Sequence, residues 1–203
     1  VVHDDADLAV TIPQLLLAKM RNGGAACTSA NRIYVQRGIS EAFINEMTKS
    51  MSSFVMGRGT DVTTTLGASV SMKERNKIAQ IVDESVAAGA KVKVGGVKPE
   101  GEGAFYPATV LIVDKDNPIL LHEIFGPVAP IIIFDTDEEG IKLANDTEFG
   151  LISYVFSSNL TRALRTAEAM ESGMVAINKG VISDPAAPFE RFNWRRMRDL
   201  NPR

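Results

Sequence analysis

The sequence is poor in the residue types on which disulfide-bonded domains and metal sites depend. Its 203 residues contain one cysteine and two histidines. One cysteine cannot form an internal disulfide, so nothing indicates secretion, and a reducing, cytoplasmic compartment is the expected location. The sequence also contains no Cys-x-x-Cys or His-x-x-x-His spacing, and we therefore predict no metal site.

Long apolar runs and a strong charge of either sign are missing as well. No apolar segment approaches the ~20 residues that a membrane helix needs, and the first residues, "VVHDDADL", lack the basic and apolar parts of a signal peptide. The net charge of −3 offers no field that would attract nucleic acid. We therefore expect neither a membrane nor a nucleic acid as a partner.

What the sequence does contain is a regular alternation of helix-like and strand-like segments. Helical spacing of apolar residues covers 8–20, 40–56, 72–88, 137–146 and 159–170. Strand-like segments cover 32–36, 90–96, 104–114, 128–135, 151–157 and 173–178. Strands separated by helices of this size are typical of βαβ units, so the predicted fold is α/β, an open, mostly parallel sheet flanked by helices. We place Pro13 in the first turn of the first helix and Ser40 at the N-cap of the second.

The only cysteine, Cys27, lies in a run of small residues between the first helix and the first strand. Small neighbours leave room for a substrate and for backbone N–H groups to face a developing oxyanion, and they are Ala25, Ala26, Thr28 and Ser29. The nearby cations Arg21 and Arg32 favour a thiolate. From the residues alone two interpretations stay open, a nucleophile or a buried structural cysteine. His3 and His122 are the available bases for a Cys–His pair.

Four segments, in order along the chain, resemble the catalytic domain of the aldehyde dehydrogenase superfamily. They are "KMRNGGAACTSANRIYV", "HEIFGPVAPI", "NDTEFGLISYVFS" and "ESGMVAINKGVISDPAAPF". The first keeps most of the family's Lys-Phe-Arg-Asn-x-Gly-Gln-x-Cys motif around Cys27, with Ala25 where glutamine is usual, and the second keeps Glu-x-Phe-Gly-Pro. The resemblance implies that residues 1–189 form the cysteine-bearing catalytic domain of such an enzyme.

The resemblance also implies roles for individual residues. Cys27 would attack the aldehyde carbonyl, while Glu123 would hold the nicotinamide ribose hydroxyls of NAD or NADP and Phe125 would pack near the nicotinamide. "RN" before the cysteine and "GVISDPAAPF" are similar to segments of succinate-semialdehyde dehydrogenases, in which Arg21 and Ser183 would hold the distal carboxylate of the substrate. A guanidinium fork and a hydroxyl suit a carboxylate; a role for Arg21 in orienting the cysteine loop alone stays open as the alternative. The implied reaction is NAD(P)-dependent oxidation of a small aldehyde, with succinic semialdehyde as the expected substrate.

Two departures from the family pattern set further expectations. In the family the cofactor-binding domain, the oxyanion asparagine and the general-base glutamate precede this segment, so we expect a fragment that lacks them and is inactive alone. Residues 190–203, where the family has glycines, contain five arginines, and we expect an atypical tail there.

A catalytically silent interaction or regulatory domain and a residual cysteine esterase stay open as alternatives. Surfaces that a cofactor domain would cover favour a homo-oligomer.

Overall fold

The computed structural model describes residues 1–183, which form five α-helices and six strands. The helices are α1 Leu8–Met20, α2 Arg37–Ser52, α3 Met72–Ala87, α4 Asp137–Asn145 and α5 Leu160–Glu168. The strands are β1 Ile33–Gln36, β2 Lys91–Val94, β3 Thr109–Ile112, β4 Val128–Phe134, β5 Ile152–Val155 and β6 Met174–Ile177. Two 3₁₀ turns, Arg21–Gly24 and Pro118–Leu121, precede loops of the candidate site.

The strands form an open, mostly parallel sheet, as predicted. β1, β4 and β3 pair in parallel, β2 joins β3 in antiparallel orientation, and β5 pairs with β6 in parallel. Val2 links the two groups of strands, because it forms parallel bridges to both Val35 and Phe156. Its N–H donates to the Tyr34 carbonyl at 2.8 Å, and its carbonyl accepts the Gln36 N–H at 2.9 Å.

The core lies on both faces of the sheet, and β4 shows why. This strand, "VAPIIIF", is almost entirely buried, and successive side chains of a strand point to opposite faces. Ile131 therefore packs in one apolar cluster with Phe43 of α2, while Ile132 packs in another with Ile78 of α3. A continuous apolar run is what a parallel strand covered by helices on both faces requires.

The second helix begins earlier than predicted. α2 starts at Arg37 with Gln36 as its N-cap, so the prediction of Ser40 as N-cap was wrong; its hydroxyl instead donates to the Arg37 carbonyl at 2.9 Å. The Gln36 side chain accepts the Asp4 N–H and donates to the Asp135 carbonyl. These contacts join residues distant in sequence, and they hold the strand end from which the helix starts.

The position of Pro13 also differs from the prediction. It is the sixth residue of α1, in the second turn and not the first. A proline there cannot donate to the carbonyl of Ala9, but Ala9 is exposed, so water can supply the missing donor. The Asp7 side chain caps the helix by accepting the Ala9 N–H at 2.9 Å.

Three loops of the candidate site meet because each precedes a parallel strand. Residues 21–32 lead into β1, residues 122–127 into β4 and residues 147–151 into β5. The amino ends of parallel strands lie at the same edge of a sheet, so these loops lie side by side.

Within residues 1–183 no helix is long and apolar enough to cross a membrane. The predicted tail, residues 190–203, lies outside the described residues.

Candidate active site

The loop that carries Cys27 begins with a reversal of the chain. Asn22, Gly23 and Gly24 all have positive φ, at 53°, 62° and 79°, a conformation that glycine adopts without strain. A Cβ on Gly24 would lie 2.2 Å from the carbonyl oxygen of Gly126, in the second motif. Glycine at this position therefore lets the two motifs approach closely, and the loop leaves Cys27 exposed.

The far side of the Cys27 loop is attached to the last turn of α1. The Ser29 hydroxyl donates to the Lys19 carbonyl at 3.1 Å, and the Ala30 N–H donates to the Ala18 carbonyl at 3.2 Å. Carbonyls in the last turn of a helix have no partner within that helix, so loop donors satisfy them. The thiol is thus carried on a loop anchored at both ends.

A third attachment comes from β5. The Tyr154 hydroxyl donates to the carbonyl of Thr28, next to the cysteine, at 2.7 Å, and both residues are buried. Burial raises the pKa of Tyr154 to about 12, so the hydroxyl keeps its proton and remains a donor throughout the neutral range. Sequence analysis did not single out Tyr154, because nothing local connects it with a residue 126 positions away.

Asn31 holds the second motif beside the first. Its side-chain nitrogen donates to the His122 carbonyl at 2.6 Å, and its side-chain oxygen accepts the Ile124 N–H at 3.0 Å. These two backbone groups flank Glu123, so its backbone position is determined on both sides. Phe125 follows with a φ of 54° and is 39% exposed. One asparagine therefore orders a loop more than 90 residues further along the chain.

A cavity of about 360 Å³ lies where these loops meet. Cys27, Glu123 and Phe125 all line it, so three of the five predicted site residues share one space. Aromatic and apolar side chains form part of the walls and include Tyr34, Phe149, Leu151, Phe156 and Met170, while polar groups line the rest. A concave space that combines apolar walls with polar groups is suited to a small molecule.

The two predicted carboxylate-binding residues are not part of the cavity lining. Arg21 and Ser183 are both exposed, and neither lines the cavity that contains Cys27. Arg21 is close enough to Tyr154 to favour its ionised form electrostatically, which places the guanidinium near the Cys27 loop. The roles assigned to all five residues stay predictions.

Neither histidine lines the cavity. His3 is fully buried. Its Nε2 lies 2.9 Å from the Thr166 hydroxyl, and its Nδ1 lies 3.3 Å from an Asp137 carboxylate oxygen. Burial, reinforced by the Arg162 cation, lowers the pKa of His3. His122 is exposed. The described residues therefore give no support to a Cys–His pair.

Lys19 is a second residue that sequence analysis did not single out as unusual. It lies in the last turn of α1, where a cation normally reaches the helix end and solvent, yet it is completely buried. Its ammonium has no hydrogen-bond partner among the described residues. Burial lowers the pKa of Lys19 to about 7. Lys19 thus anchors the Cys27 loop through its carbonyl, while its buried amine lowers the stability of the folded chain.

Two residues at the cavity rim have side chains of the kind that could hold part of a nicotinamide cofactor. Glu123 presents an exposed carboxylate, which accepts hydrogen bonds from hydroxyl groups such as those of a ribose. The partly exposed ring of Phe125 offers an apolar surface on the same rim. Both residue types suit the roles that the resemblance implies. No group of three or more His, Cys, Asp or Glu side chains in residues 1–183 is placed to hold a metal ion.

Comparison with known proteins shows the family to which the chain belongs. The profile of the aldehyde dehydrogenase family matches residues 1–191. The succinate-semialdehyde dehydrogenase of Paenarthrobacter nicotinovorans is 44% identical over 190 residues, which cover 93% of this chain and 42% of that protein. The glutarate-semialdehyde dehydrogenase of Pseudomonas putida is 40% identical over 190 residues, covering 93% and 39%.

A solved structure extends the similarity to three dimensions. The crystal structure of an NADP dependent enzyme of E. coli superposes with a TM-score of 0.90 at 38% identity, covering 94% of this chain and 40% of that one. The chain belongs to the aldehyde dehydrogenase family, which confirms the resemblance seen in the motifs. It spans about two fifths of the length of the relatives it matches.

Proposed function

We propose that this chain is the nucleophile-bearing part of an NAD(P)-dependent aldehyde dehydrogenase that oxidises an aldehyde carrying a carboxylate. One observation supports this most directly. The only cysteine of the chain is exposed on an anchored loop and lines the same cavity as Glu123 and Phe125. A structural cysteine is normally buried in the core, whereas Cys27 is exposed to a cavity.

Cys27 performs the covalent step in this proposal. Its thiolate attacks the aldehyde carbon, forming a C–S bond while the carbonyl oxygen becomes an oxyanion that the Cys27 backbone N–H stabilises. Loss of hydride from the same carbon leaves a thioester, and water then cleaves the C–S bond to release the acid and regenerate the thiolate. When bound, NAD or NADP supplies the hydride acceptor. Glu123 would hold the ribose hydroxyls of the cofactor, and Phe125 would pack near its nicotinamide ring.

Several features support a substrate with a carboxylate. The matched relatives include enzymes named for succinate semialdehyde and glutarate semialdehyde, and both compounds carry an aldehyde at one end and a carboxylate at the other. Arg21 and Ser183 are exposed donors, which leaves them available to such a group. Succinic semialdehyde is the first substrate to test.

The proposal is tested by transplanting the site. Residues 1–189 replace the matching segment of the Paenarthrobacter nicotinovorans relative, and reduction of NAD and NADP is measured with succinic semialdehyde. We expect turnover that Cys27→Ala lowers by several orders of magnitude. Ser158→Ala, at an exposed residue outside the cavity lining, should leave it within a small factor. A folded chimera that is inactive, or one that keeps its activity with Cys27→Ala, would contradict the proposal.

The 203-residue chain alone gives a second test. We expect no NAD(P)-linked oxidation, because the resemblance places the general base and the cofactor domain in a segment that these residues do not include. The exposed thiol has no such requirement for attack on an activated ester. Slow hydrolysis of p-nitrophenyl acetate that disappears after alkylation of Cys27 would support the cysteine esterase alternative as a side activity of the same nucleophile.

A further inference from the structure

Cys27 occupies the corner of a β-turn. The Ser29 N–H donates to the Ala26 carbonyl at 2.9 Å, and this bond closes a four-residue turn with Cys27 and Thr28 at its central positions. Neither of these two residues donates its backbone N–H to another group within residues 1–183. Both N–H groups are therefore free to bind a ligand, in directions that the orientation of the turn determines.

One peptide unit closes this turn, and both of its polar groups are bound. The unit between Thr28 and Ser29 donates its N–H to Ala26 within the turn, while its carbonyl accepts the Tyr154 hydroxyl at 2.7 Å. Because a peptide unit is planar and rigid, hydrogen bonds at both of its ends fix its orientation. Tyr154, on β5, thus restrains a turn that lies 126 positions away in the sequence.

The Tyr154 side chain is well placed for this contact. It is buried and lines the same cavity as Cys27. Burial raises the pKa of Tyr154 to about 12, and the charges of Arg21 and Cys27 also act on it, so the hydroxyl lies near the thiol and keeps its proton. A tyrosine hydroxyl has one proton to donate, and here the Thr28 carbonyl accepts it. Tyr154 therefore acts on the backbone of the turn.

The orientation of the turn matters for attack on a carbonyl group. When a thiolate adds to a carbonyl carbon, the carbonyl oxygen takes up the negative charge, and a backbone N–H stabilises it only from the correct direction. A rotated turn would aim the Cys27 N–H away from that oxygen. Attack on a carbonyl would then be slowed more than a reaction of the same thiolate that forms no oxyanion.

We propose that Tyr154 is a positioning residue, whose hydroxyl orients the turn of residues 26–29 so that the Cys27 N–H faces the oxyanion formed from the substrate. Tyr154 does not touch the substrate in this role and acts through the Thr28 carbonyl. The inference rests on the proposed function, and it adds the residue that prepares the oxyanion donor.

The test compares two reactions of Cys27, of which one forms an oxyanion. With p-nitrophenyl acetate, the thiolate sulfur bonds to the carbonyl carbon, and the resulting oxyanion collapses to a thioester and releases p-nitrophenolate. With iodoacetamide, the sulfur displaces iodide from a CH₂ carbon, and no tetrahedral oxyanion forms. Cys27 is the only thiol of the chain, so rates measured with Cys27→Ala give the background to subtract from both reactions.

The measured quantity is the rate constant for acylation divided by that for alkylation, in the 203-residue chain. Both reactions need an accessible thiolate, so a variant that is merely less stable changes both rates and leaves the ratio alone. We expect Tyr154→Phe to lower the ratio about tenfold, part of the roughly 100- to 1,000-fold effect of removing an oxyanion donor. Replacement of Tyr154 by 4-aminophenylalanine keeps a donor at this position and should restore most of the ratio.

Tyr106→Phe is the matched control. It removes a hydroxyl that is also buried, has no hydrogen-bond partner in the described part of the chain and does not line the cavity. The ratio should therefore stay the same in this variant. An unchanged ratio in folded Tyr154→Phe, or an equal decrease in Tyr106→Phe, would overturn the assignment.

A measurement on the unmodified chain covers the case in which Tyr154→Phe does not fold. A synthetic peptide of residues 21–32 contains the same cysteine and its neighbours but no tyrosine. The ratio for the folded chain should exceed that for the peptide by about tenfold or more. Equal ratios would overturn the assignment, because the fold would then add nothing to attack on a carbonyl.

The same data separate this inference from the proposed function. If Cys27 in the unmodified chain is alkylated but not acylated, both fail. If the folded chain exceeds the peptide and folded Tyr154→Phe keeps the full ratio, the proposed function stands and only the role of Tyr154 is wrong.

Discussion

The hydroxyl of Tyr154 donates to the backbone carbonyl of Thr28 at 2.7 Å, which joins β5 to the residue after Cys27. Tyr154→Phe removes the donor and leaves a buried carbonyl unpaired. We expect a loss of about 1 to 2 kcal/mol in the free energy of unfolding, measured by urea denaturation, together with altered labelling kinetics of Cys27.

The matched control is Tyr106→Phe. The Tyr106 hydroxyl is also buried but has no hydrogen-bond partner in the described part of the chain. Its removal should be neutral or slightly stabilising, because no bond is lost and a desolvated hydroxyl disappears. Equal losses in the two variants would show that the Tyr154 hydrogen bond contributes nothing specific.

Replacement of Lys19 by Met should stabilise the chain, and the gain should depend on pH. Burial lowers the pKa of Lys19 to about 7, so between pH 7 and 10.5 the unfolded state binds a proton that the folded state does not. Stability therefore falls as the pH is lowered across this range. We expect Lys19→Met to gain roughly 2 to 4 kcal/mol at pH 7 and much less near pH 10. Urea denaturation across this pH range, with exposed Lys49→Met as control, decides the matter; a gain independent of pH would contradict the interpretation.

Gly24→Ala should disrupt the approach of the two motifs. The added Cβ meets the Gly126 carbonyl oxygen at 2.2 Å on a backbone with a φ of +79°, so steric overlap and backbone strain act together. We expect a loss of about 3 kcal/mol or more in the free energy of unfolding. Gly67→Ala has no atom within 4 Å of its Cβ and should change stability by less than about 0.5 kcal/mol. Thermal unfolding of both variants tests this, and a tolerated Gly24→Ala would mean that the two loops can separate at little cost.

His3→Phe should make the chain less sensitive to mild acid. Because burial lowers the pKa of His3, the unfolded state takes up a proton near pH 6.5 before the folded state does, and stability is lost as the pH falls below that value. The lost hydrogen bond to Thr166 costs the same at every pH. Asp137 acts in a separate range, since hydrogen bonds from Arg162 lower its pKa to about 2 and its contribution is lost below pH 4. Unfolding curves between pH 4.5 and 7.5, with exposed His122→Gln as control, should show a flatter profile for His3→Phe alone.

Local features of the sequence predicted most of the elements, and the resemblance to the family predicted the candidate nucleophile. The bounds of α1 agree with the structure because an acidic N-cap and a stop at glycines are encoded within the segment. The uninterrupted apolar run of β4 predicted a parallel strand covered on both faces. The motifs named Cys27, Glu123 and Phe125, which line one cavity.

Contacts between distant residues were outside the reach of such patterns. The Asn31 contacts with the Glu123 loop, the early start of α2 and the burial of Lys19 each depend on which segments become neighbours in space. The position of Arg32 in the cavity wall also could not be predicted from local sequence patterns. Its sequence position made it one of two cations near the cysteine, and only the folded chain distinguishes it from Arg21 by placing it in the cavity.

The sequence by itself determined the family and the α/β class, and its motifs predicted Cys27 as the nucleophile, because these depend on residue types at fixed spacing. Tertiary structure alone decided which polar groups surround Cys27. Parallel strands align their amino ends at one edge of the sheet, and this brings loops from three distant segments together. The resulting burial leaves Arg32 Nη2 and the Lys19 ammonium without a hydrogen-bond partner within residues 1–183.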